Sequence, residues 1–225
     1  MLILVLGKGK TGSLVAQVAR ERGHGVRALD IHENQGASAL NGPNLAGVDV
    51  VIDFTNAEAA LENMRAVLAL GRSIVVGTTG WYAHLADMKA LAIKRGGALL
   101  YGTNFSIGVQ KLFSLTAELA QLEGYSFSIS ETHHQSKLDA PSGTAITLKE
   151  IIKAAQPGID IEVTSHRVGD AKGEHIVTAT GPDDILELRH DANSRKGFAL
   201  GAVRAAEWVA GKSGSWEFRE IFDQL

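Results

Sequence analysis

Three observations predict an α/β chain whose first half is a doubly wound parallel sheet and whose second half is an α+β unit on a mixed sheet. The apolar run Leu2–Leu6 leads directly into a glycine-rich loop and an amphipathic segment. Short apolar runs and helical periodicities then alternate as far as about residue 104. Beyond that point period-two segments predominate, with helical stretches between them. Regular strand–helix alternation calls for parallel strands with helices on both faces, and the later pattern for antiparallel or mixed pairing.

Leu2–Leu6 reads as a strand buried on both faces. Gly7-Lys8-Gly9-Lys10-Thr11-Gly12 fits G-x-G-x-x-G, and Ser13–Arg22 is an amphipathic helix that stops at Gly23. A second strand, Val26–Asp30, ends in an acid 18 residues beyond Gly12. Glycines alone mark any tight turn. The order strand, glycine loop, helix, strand, acid is the dinucleotide fingerprint of a Rossmann-like domain. In that setting Gly7 permits the turn, Gly9 admits the pyrophosphate to the backbone, and Gly12 allows close helix packing. Asp30 would accept hydrogen bonds from the adenosine ribose. A carboxylate there repels a 2′-phosphate and Ile31 cannot pair with one, so NADH is the expected reductant. Lys8, Lys10 and His32 keep NADPH open as the alternative.

The same rhythm continues through a strand at Val48–Phe54, a helix at Ala57–Leu70 and a strand at Ser73–Gly77. A Thr78-Thr79-Gly80 turn, a helix at Tyr82–Arg95 and a short strand at Ala98–Tyr101 follow. Ligands of such sheets sit beyond the carboxyl ends of the strands. Asp53-Phe54-Thr55, Gly77-Thr78-Thr79 and Thr103-Asn104-Phe105 fall at those ends and are expected to line the cofactor groove.

The second half begins with a helix at Gln110–Leu122 and a strand at Tyr125–His133, which places Phe127, Ile129, Glu131 and His133 on one side. After Pro141, Ser142 is a plausible N-cap for a helix running to Ala155. Ile159–Val168, His175–Thr180 and Ile185–His190 read as further strands, Ala199–Gly211 as a helix, and a polar-aromatic tail closes the chain. The expected division is residues 1–104 for dinucleotide binding, with 197–225 packing back on them, and 105–196 for substrate binding and oligomerisation.

The densest chemistry lies in Glu131-Thr-His-His-Gln-Ser-Lys-Leu-Asp-Ala-Pro-Ser-Gly-Thr-Ala145. His133 and His134 can share one pocket only if the strand ends between them, since neighbouring strand residues point apart. The helix start at Gly143-Thr144 offers backbone N–H groups to an anion, and beside His134 and Lys137 it would suit a carboxylate. Strand-end histidines taken singly are often ordinary surface groups; the whole cluster is not what folding alone asks for. A metal site is the weaker competitor, because the chain has no cysteine and a lysine stands among the histidines.

These motifs resemble those of the 4-hydroxy-tetrahydrodipicolinate reductase (dihydrodipicolinate reductase) family nearly from end to end. Gly7–Gly12, Asp53-Phe54-Thr55, Val75–Gly80 and Asn104–Val109 carry the resemblance, as does Glu131–Ala145 above all. Arg167-Val-Gly, Gly173-Glu-His175 and Phe198–Trp208 add to it. The resemblance implies NAD(P)H-dependent reduction of a cyclic dicarboxylate with loss of water, in lysine and diaminopimelate biosynthesis. It implies that His133 is the proton donor and acceptor and Lys137 a second proton donor. His134, Gly143 and Thr144 would hold substrate carboxylate. Nicotinamide contacts would come from Gly77-Thr78-Thr79 and Gly102-Thr103-Asn104-Phe105. A homotetramer formed through the second domain's sheet is also implied, with Ile159–Val168 and Ile185–His190 as candidate surfaces. Two departures stand out: the Asp30–Asp53 interval is trimmed, and Lys10 replaces an arginine common in the glycine loop.

Composition sets the remaining bounds. The net charge of −3 gives no basic excess for nucleic acid, and no apolar run is long enough to span a membrane. With no signal peptide pattern and no cysteine, a cytoplasmic enzyme is expected. A non-catalytic dinucleotide sensor would not need His133 and Lys137 together, and a metal hydrolase would leave the glycine loop without use.

Overall fold

Leu2–Leu6 (β1) lies between two parallel partners, Gly25–Leu29 (β2) and Val50–Asp53 (β3). The computed structural model describes all 225 residues, which form two units, Met1–Ser106 with Lys196–Leu225, and Ile107–Arg195. Ser73–Val76 (β4), Ala98–Tyr101 (β5) and Gly214–Glu217 (β10) extend the first unit's sheet in the order β10-β5-β4-β3-β1-β2, every pair parallel.

Apolar alternation within these strands feeds two faces. Leu4, Leu6, Val51, Ile74, Val76 and Leu99 pack in one core with Met64, Val67 and Leu68 of Ala57–Ala69 (α2) and with Met88 and Ala92 of Leu85–Arg95 (α3). Ile3, Val5, Ile52, Val75 and Leu100 are fully buried without belonging to that cluster, and Lys10–Glu21 (α1) and Lys196–Val209 (α6) pack on each other and on the sheet. Each buried aliphatic side chain contributes roughly 1.5–3 kcal/mol by leaving water. The doubly wound parallel sheet expected from the sequence is therefore present.

The trimmed segment between β2 and β3 contains one short 3-10 turn, Gln35–Ala37. Leu40, Leu45 and Val48 drop from it into the α2/α3 core. Three apolar anchors thus do the covering that a crossover helix would otherwise do.

The second unit holds a four-stranded sheet in the order β7-β6-β8-β9, made of Ser126–His133 (β6), Ile161–Arg167 (β7), Glu174–Thr180 (β8) and Ile185–Asp191 (β9). The β6–β7 pair is parallel and the other two are antiparallel, so the sheet is mixed, as expected. Phe127, Ile129, Val177 and Ala179 form its core with Ile107–Leu119 (α4) and Gly143–Ala155 (α5). The opposite row, including Ser128, Ser130 and Thr178, stays partly exposed.

The tail departs from expectation. Gly214–Glu217 is a sixth strand, followed by the short helix Phe218–Ile221 (α7), rather than irregular chain. As an edge strand its residues are all half-buried, so the sequence carries neither the apolar run of a central strand nor a clear alternation. Helix starts also shift toward the N-terminus: α1 begins at Lys10, α4 at Ile107 and α6 at Lys196. No helix is long and apolar enough to cross a membrane.

Candidate active site

In the first unit the backbone geometry requires glycine at two positions of the loop. Gly7 has φ +94°, and a Cβ there would stand 2.3 Å from the Phe54 carbonyl oxygen. A Cβ on Gly12 would stand 1.9 Å from the Gly7 oxygen, so only glycine lets α1 close on the loop. Gly9 is the N-cap of α1, has no side-chain cap, and nothing lies within 4 Å of where its Cβ would be. An open glycine at an uncapped helix start fits the approach of a pyrophosphate. Gly9, Lys10, Thr11, Phe54, Thr55, Asn56 and Gly77-Thr78-Thr79 line a cavity of about 530 Å³. A second cavity, of about 500 Å³, is walled by Gly7, Lys8, Asp30–His32, Asn34 and Asn63 among others. The residues present thus fit a dinucleotide.

Asp30 lies just past β2. Its Oδ1 accepts the N–H groups of His32 (2.9 Å) and Glu33 (3.2 Å), and Lys8 Nζ stands 3.7 Å from its Oδ2. Those backbone donors, with Lys8, hold the carboxyl below its ordinary range despite some desolvation. Glu33, a residue outside the glycine-loop fingerprint, takes Lys8 at 2.5 Å and the Asp30 N–H at 2.8 Å. Its only signal was a second acid three residues after the first.

Several groove residues serve the frame. Asp53 is fully buried, and its Oδ1 accepts from the Thr55 N–H (3.0 Å), the Thr55 hydroxyl (2.8 Å) and the Thr78 hydroxyl (2.7 Å). Its Oδ2 accepts from Asn63 Nδ2 at 2.7 Å, and Asn63 Oδ1 accepts from Asn34 at 2.8 Å. The Thr78 hydroxyl is therefore committed to Asp53, while Thr79 is exposed. Gly77 clears the Phe54 ring, which a Cβ would meet at 2.2 Å. Gly102 clears Phe218, and the Phe105 ring is buried against Phe218 with centroids 4.6 Å apart, so both are packing residues here. Asn104 Oδ1 accepts the Ser106 N–H at 2.8 Å, and Thr103 is exposed.

In the second unit β6 ends at His133, so His134 begins a loop. Arg195 donates to His134 Nε2 at 3.3 Å and Ser136 Oγ lies 2.8 Å from Nδ1. Because arginine only donates, Nε2 must accept, which puts the imidazole proton on Nδ1. Lys137 Nζ contacts both Asp139 oxygens at 2.7 Å; its ionic partner is this carboxylate rather than the imidazoles. Ser142 caps α5 by accepting the Ala145 N–H at 3.2 Å, leaving Gly143 and Thr144 in the first turn with open space around the Gly143 Cα.

Beneath this loop lies a buried carboxylate. Glu131 Oε1 accepts the Ser142 N–H (3.2 Å) and Arg167 (3.0 Å), and its Oε2 stands 2.8 Å from His133 Nδ1. Burial raises the Glu131 carboxyl, but Ser142, Ser165, Arg167 and the His133 charge outweigh it and hold it at about 2. His133 is lowered, chiefly by burial with Lys137 and Arg167 adding, while Glu131 opposes. His175 is pushed down to about 4 by burial and by the His133 charge; its ring meets His133 edge-on at 5.1 Å. The ligand-type atoms of Glu131, His133 and His175 lie within 4.8 Å of one another, but the guanidinium already on Glu131 opposes a second cation. Glu131, Arg167, His175 and Arg195 received no role from the sequence. An acid in the inward row of an alternating strand was the available clue.

Residues 1–105 match the model for the dihydrodipicolinate reductase N-terminus and residues 108–222 that for its C-terminus. This chain belongs to the dihydrodipicolinate reductase family. It is 34% identical to the 4-hydroxy-tetrahydrodipicolinate reductase of Christiangramia forsetii, covering 100% of this chain and 99% of that one. With the Natronomonas pharaonis enzyme of the same name the identity is 36%, over 96% and 97% of the two chains. Among solved structures, a dipicolinate-bound dihydrodipicolinate reductase from Paenisporosarcina sp. TG-14 superposes with TM-score 0.83 at 22% identity, covering 100% and 99%. That likeness speaks for the shared fold.

Proposed function

We infer that this chain catalyses the NAD(P)H-dependent reduction of 4-hydroxy-tetrahydrodipicolinate to tetrahydrodipicolinate, with loss of water, in lysine and diaminopimelate biosynthesis. The observation that carries this is the full-length family match, taken with a complete His133–Thr144 block. The hydroxyl leaves as water together with a proton lost from the neighbouring carbon, and hydride addition is completed by one further proton, so each turnover consumes one proton overall. The bound dinucleotide supplies the hydride; this chain's residues bind, orient and handle protons.

His133 holds that proton at Nε2, the ring nitrogen away from Glu131. Lys137, anchored by Asp139, is the second proton donor. Substrate carboxylates are held by the α5 start at Gly143-Thr144 and by His134, with Arg195 beside it. The cofactor is carried by Gly7–Gly12, Asp30, Gly77-Thr78-Thr79 and the backbone of Gly102–Phe105.

NADH is the preferred reductant. Asp30 and Glu33 place two carboxylates beside Lys8, whose charge Glu33 already engages, so a 2′-phosphate meets net repulsion. The enzyme works in the cytoplasm as a homotetramer, the partly exposed sheet face with Ile185 and Leu186 at its edge meeting other copies. Light scattering on the purified protein reads that assembly directly.

The deciding experiment generates the substrate in place from pyruvate and aspartate semialdehyde with the preceding synthase, and follows nicotinamide oxidation with NADH and NADPH in parallel. Turnover with a higher kcat/KM for NADH is expected. Folded protein that binds the dinucleotide but turns over with neither would overturn the substrate assignment and favour a sensing module.

A further inference from the structure

We propose that Glu131 is the positioning residue of this site, a single carboxylate that fixes the proton-bearing face of His133 and the anion-binding turn at Ser142 together. The inference rests on the reductase reading for its catalytic consequence, but its geometry is independent of it.

The side chain is 0% exposed, in the inward row of β6 where Phe127 and Ile129 precede it. An isolated carboxylate at such a depth is costly unless it is paired and hydrogen-bonded. Here one oxygen takes the Ser142 N–H and Arg167, and the other stands 2.8 Å from His133 Nδ1. Arg167 also donates to the Asp139 carbonyl at 2.6 Å, so the same guanidinium reaches the loop that carries Lys137. Three parts of the block are thus tied to one point: the acid, the helix start and the Lys137 loop.

The consequence for His133 is an orientation. Glu131 Oε2 and His133 Nδ1 stand 2.8 Å apart without the alignment of a hydrogen bond. A bare nitrogen lone pair at that distance from a carboxylate oxygen is repelled, so the neutral ring carries its proton on Nδ1 and Nε2 is the nitrogen left for proton transfer. The surroundings protect Nε2: Gly173 has φ +133°, and a Cβ on it would come within 3.2 Å of that nitrogen. The charged and titratable groups around His133 are Glu131 on its own strand, Lys137 and Asp139 on the loop, Arg167 on β7 and His175 on β8. Burial disfavours the charged ring, as do Lys137 and Arg167, while Glu131, the nearest carboxylate, and Asp139 favour it. Replacing Glu131 by a neutral isostere therefore makes His133 harder to protonate.

The test is histidine-selective NMR with ¹⁵N-labelled imidazoles, His133 being assigned by its loss in His133→Asn. In the wild type the neutral His133 ring is expected as the Nδ1–H form. In Glu131→Gln its titration moves to lower pH, kcat falls on the order of tenfold or more, and the alkaline limb of the rate profile, where the rate falls as the ring loses its proton, moves down with it. Binding of NADH, measured by fluorescence, stays within about twofold, since no cofactor residue is touched. Glu131→Asp keeps the charge and restores the titration in part, and serves alone if the glutamine variant does not fold. An Nε2–H form in the wild type, or an unmoved titration in the variant, would overturn the inference. Because the NMR reads the ring without turnover, loss of the reductase assignment would not be mistaken for loss of this one.

Discussion

Replacing Asn63 by alanine removes the link between the two cavities of the first unit. Asn63 is 1% exposed; it donates to Asp53 Oδ2 at 2.7 Å and accepts from Asn34 Nδ2 at 2.8 Å. Asp53 Oδ2 has no other protein donor, while Asn34 Oδ1 accepts the Ala39 N–H at 3.2 Å and so pins the trimmed β2–β3 segment. A hydrogen bond to a charged group contributes about 1.5–3 kcal/mol and a neutral one about 0.5–1.5, so their joint loss costs roughly 2–4 kcal/mol. For a unit of this size that lowers the melting temperature on the order of 10 °C. Because Asn34 and Asn63 both line the cavity that contains Asp30, KM for NADH is expected to rise while kcat changes less. Thermal unfolding monitored by circular dichroism gives the first quantity and initial rates the second. A loss under about 1 kcal/mol with unchanged KM would show that the Asp53–Asn63–Asn34 chain bears neither stability nor cofactor binding.

Other outcomes follow from the same geometry. His133→Ala and Lys137→Ala lower kcat on the order of a hundredfold or more while leaving the NADH dissociation constant nearly unchanged; equal losses in both would remove their assigned roles. Asp30→Asn combined with Ile31→Arg shifts the ratio of kcat/KM toward NADPH, and an unshifted ratio would place cofactor choice elsewhere. The second unit loses stability in acid. His175, at about 4 when folded against 6.5 unperturbed, makes the unfolded chain bind more protons between those values, so stability falls as pH drops through that window. Glu131, at about 2 against 4.5, adds a further loss as pH falls from about 4.5 toward 2. Each loss, nil at neutral pH and complete below the folded-state value, is on the order of 3 kcal/mol. Melting temperature against pH checks this, and His175→Gln removes the upper part; a flat profile down to about pH 4 would contradict it.

How much could be read in advance depended on whether a residue's job was local. Leu2–Leu6 and Ala98–Tyr101 declared themselves as buried parallel strands because both faces are apolar. Gly7 and Gly12 could be assigned because a turn and a close approach are properties of neighbouring chain. His133 ending β6 followed from the alternation that precedes it. What escaped were partners made by pairing strands distant in sequence. Arg167 and His175 reach Glu131 only because β7 and β8 flank β6, with Glu131 opposite Ser165 and His175. The Gly214–Glu217 strand was hidden for a related reason: one neighbour and half-burial leave no periodicity. Phe105 looked like a groove residue by position, whereas its ring packs on Phe218 from the tail.

Transfer of label from NADH deuterated at C4 tests the central claim most directly. The substrate is formed in place, and the recovered tetrahydrodipicolinate is weighed by mass spectrometry, with His133→Ala in parallel. One deuterium per product molecule with the wild type, and a rate on the order of a hundredfold lower with the variant, is the result expected here. Product without label, or labelling at an equal rate in His133→Ala, would contradict hydride delivery to this substrate or the place of His133 in it.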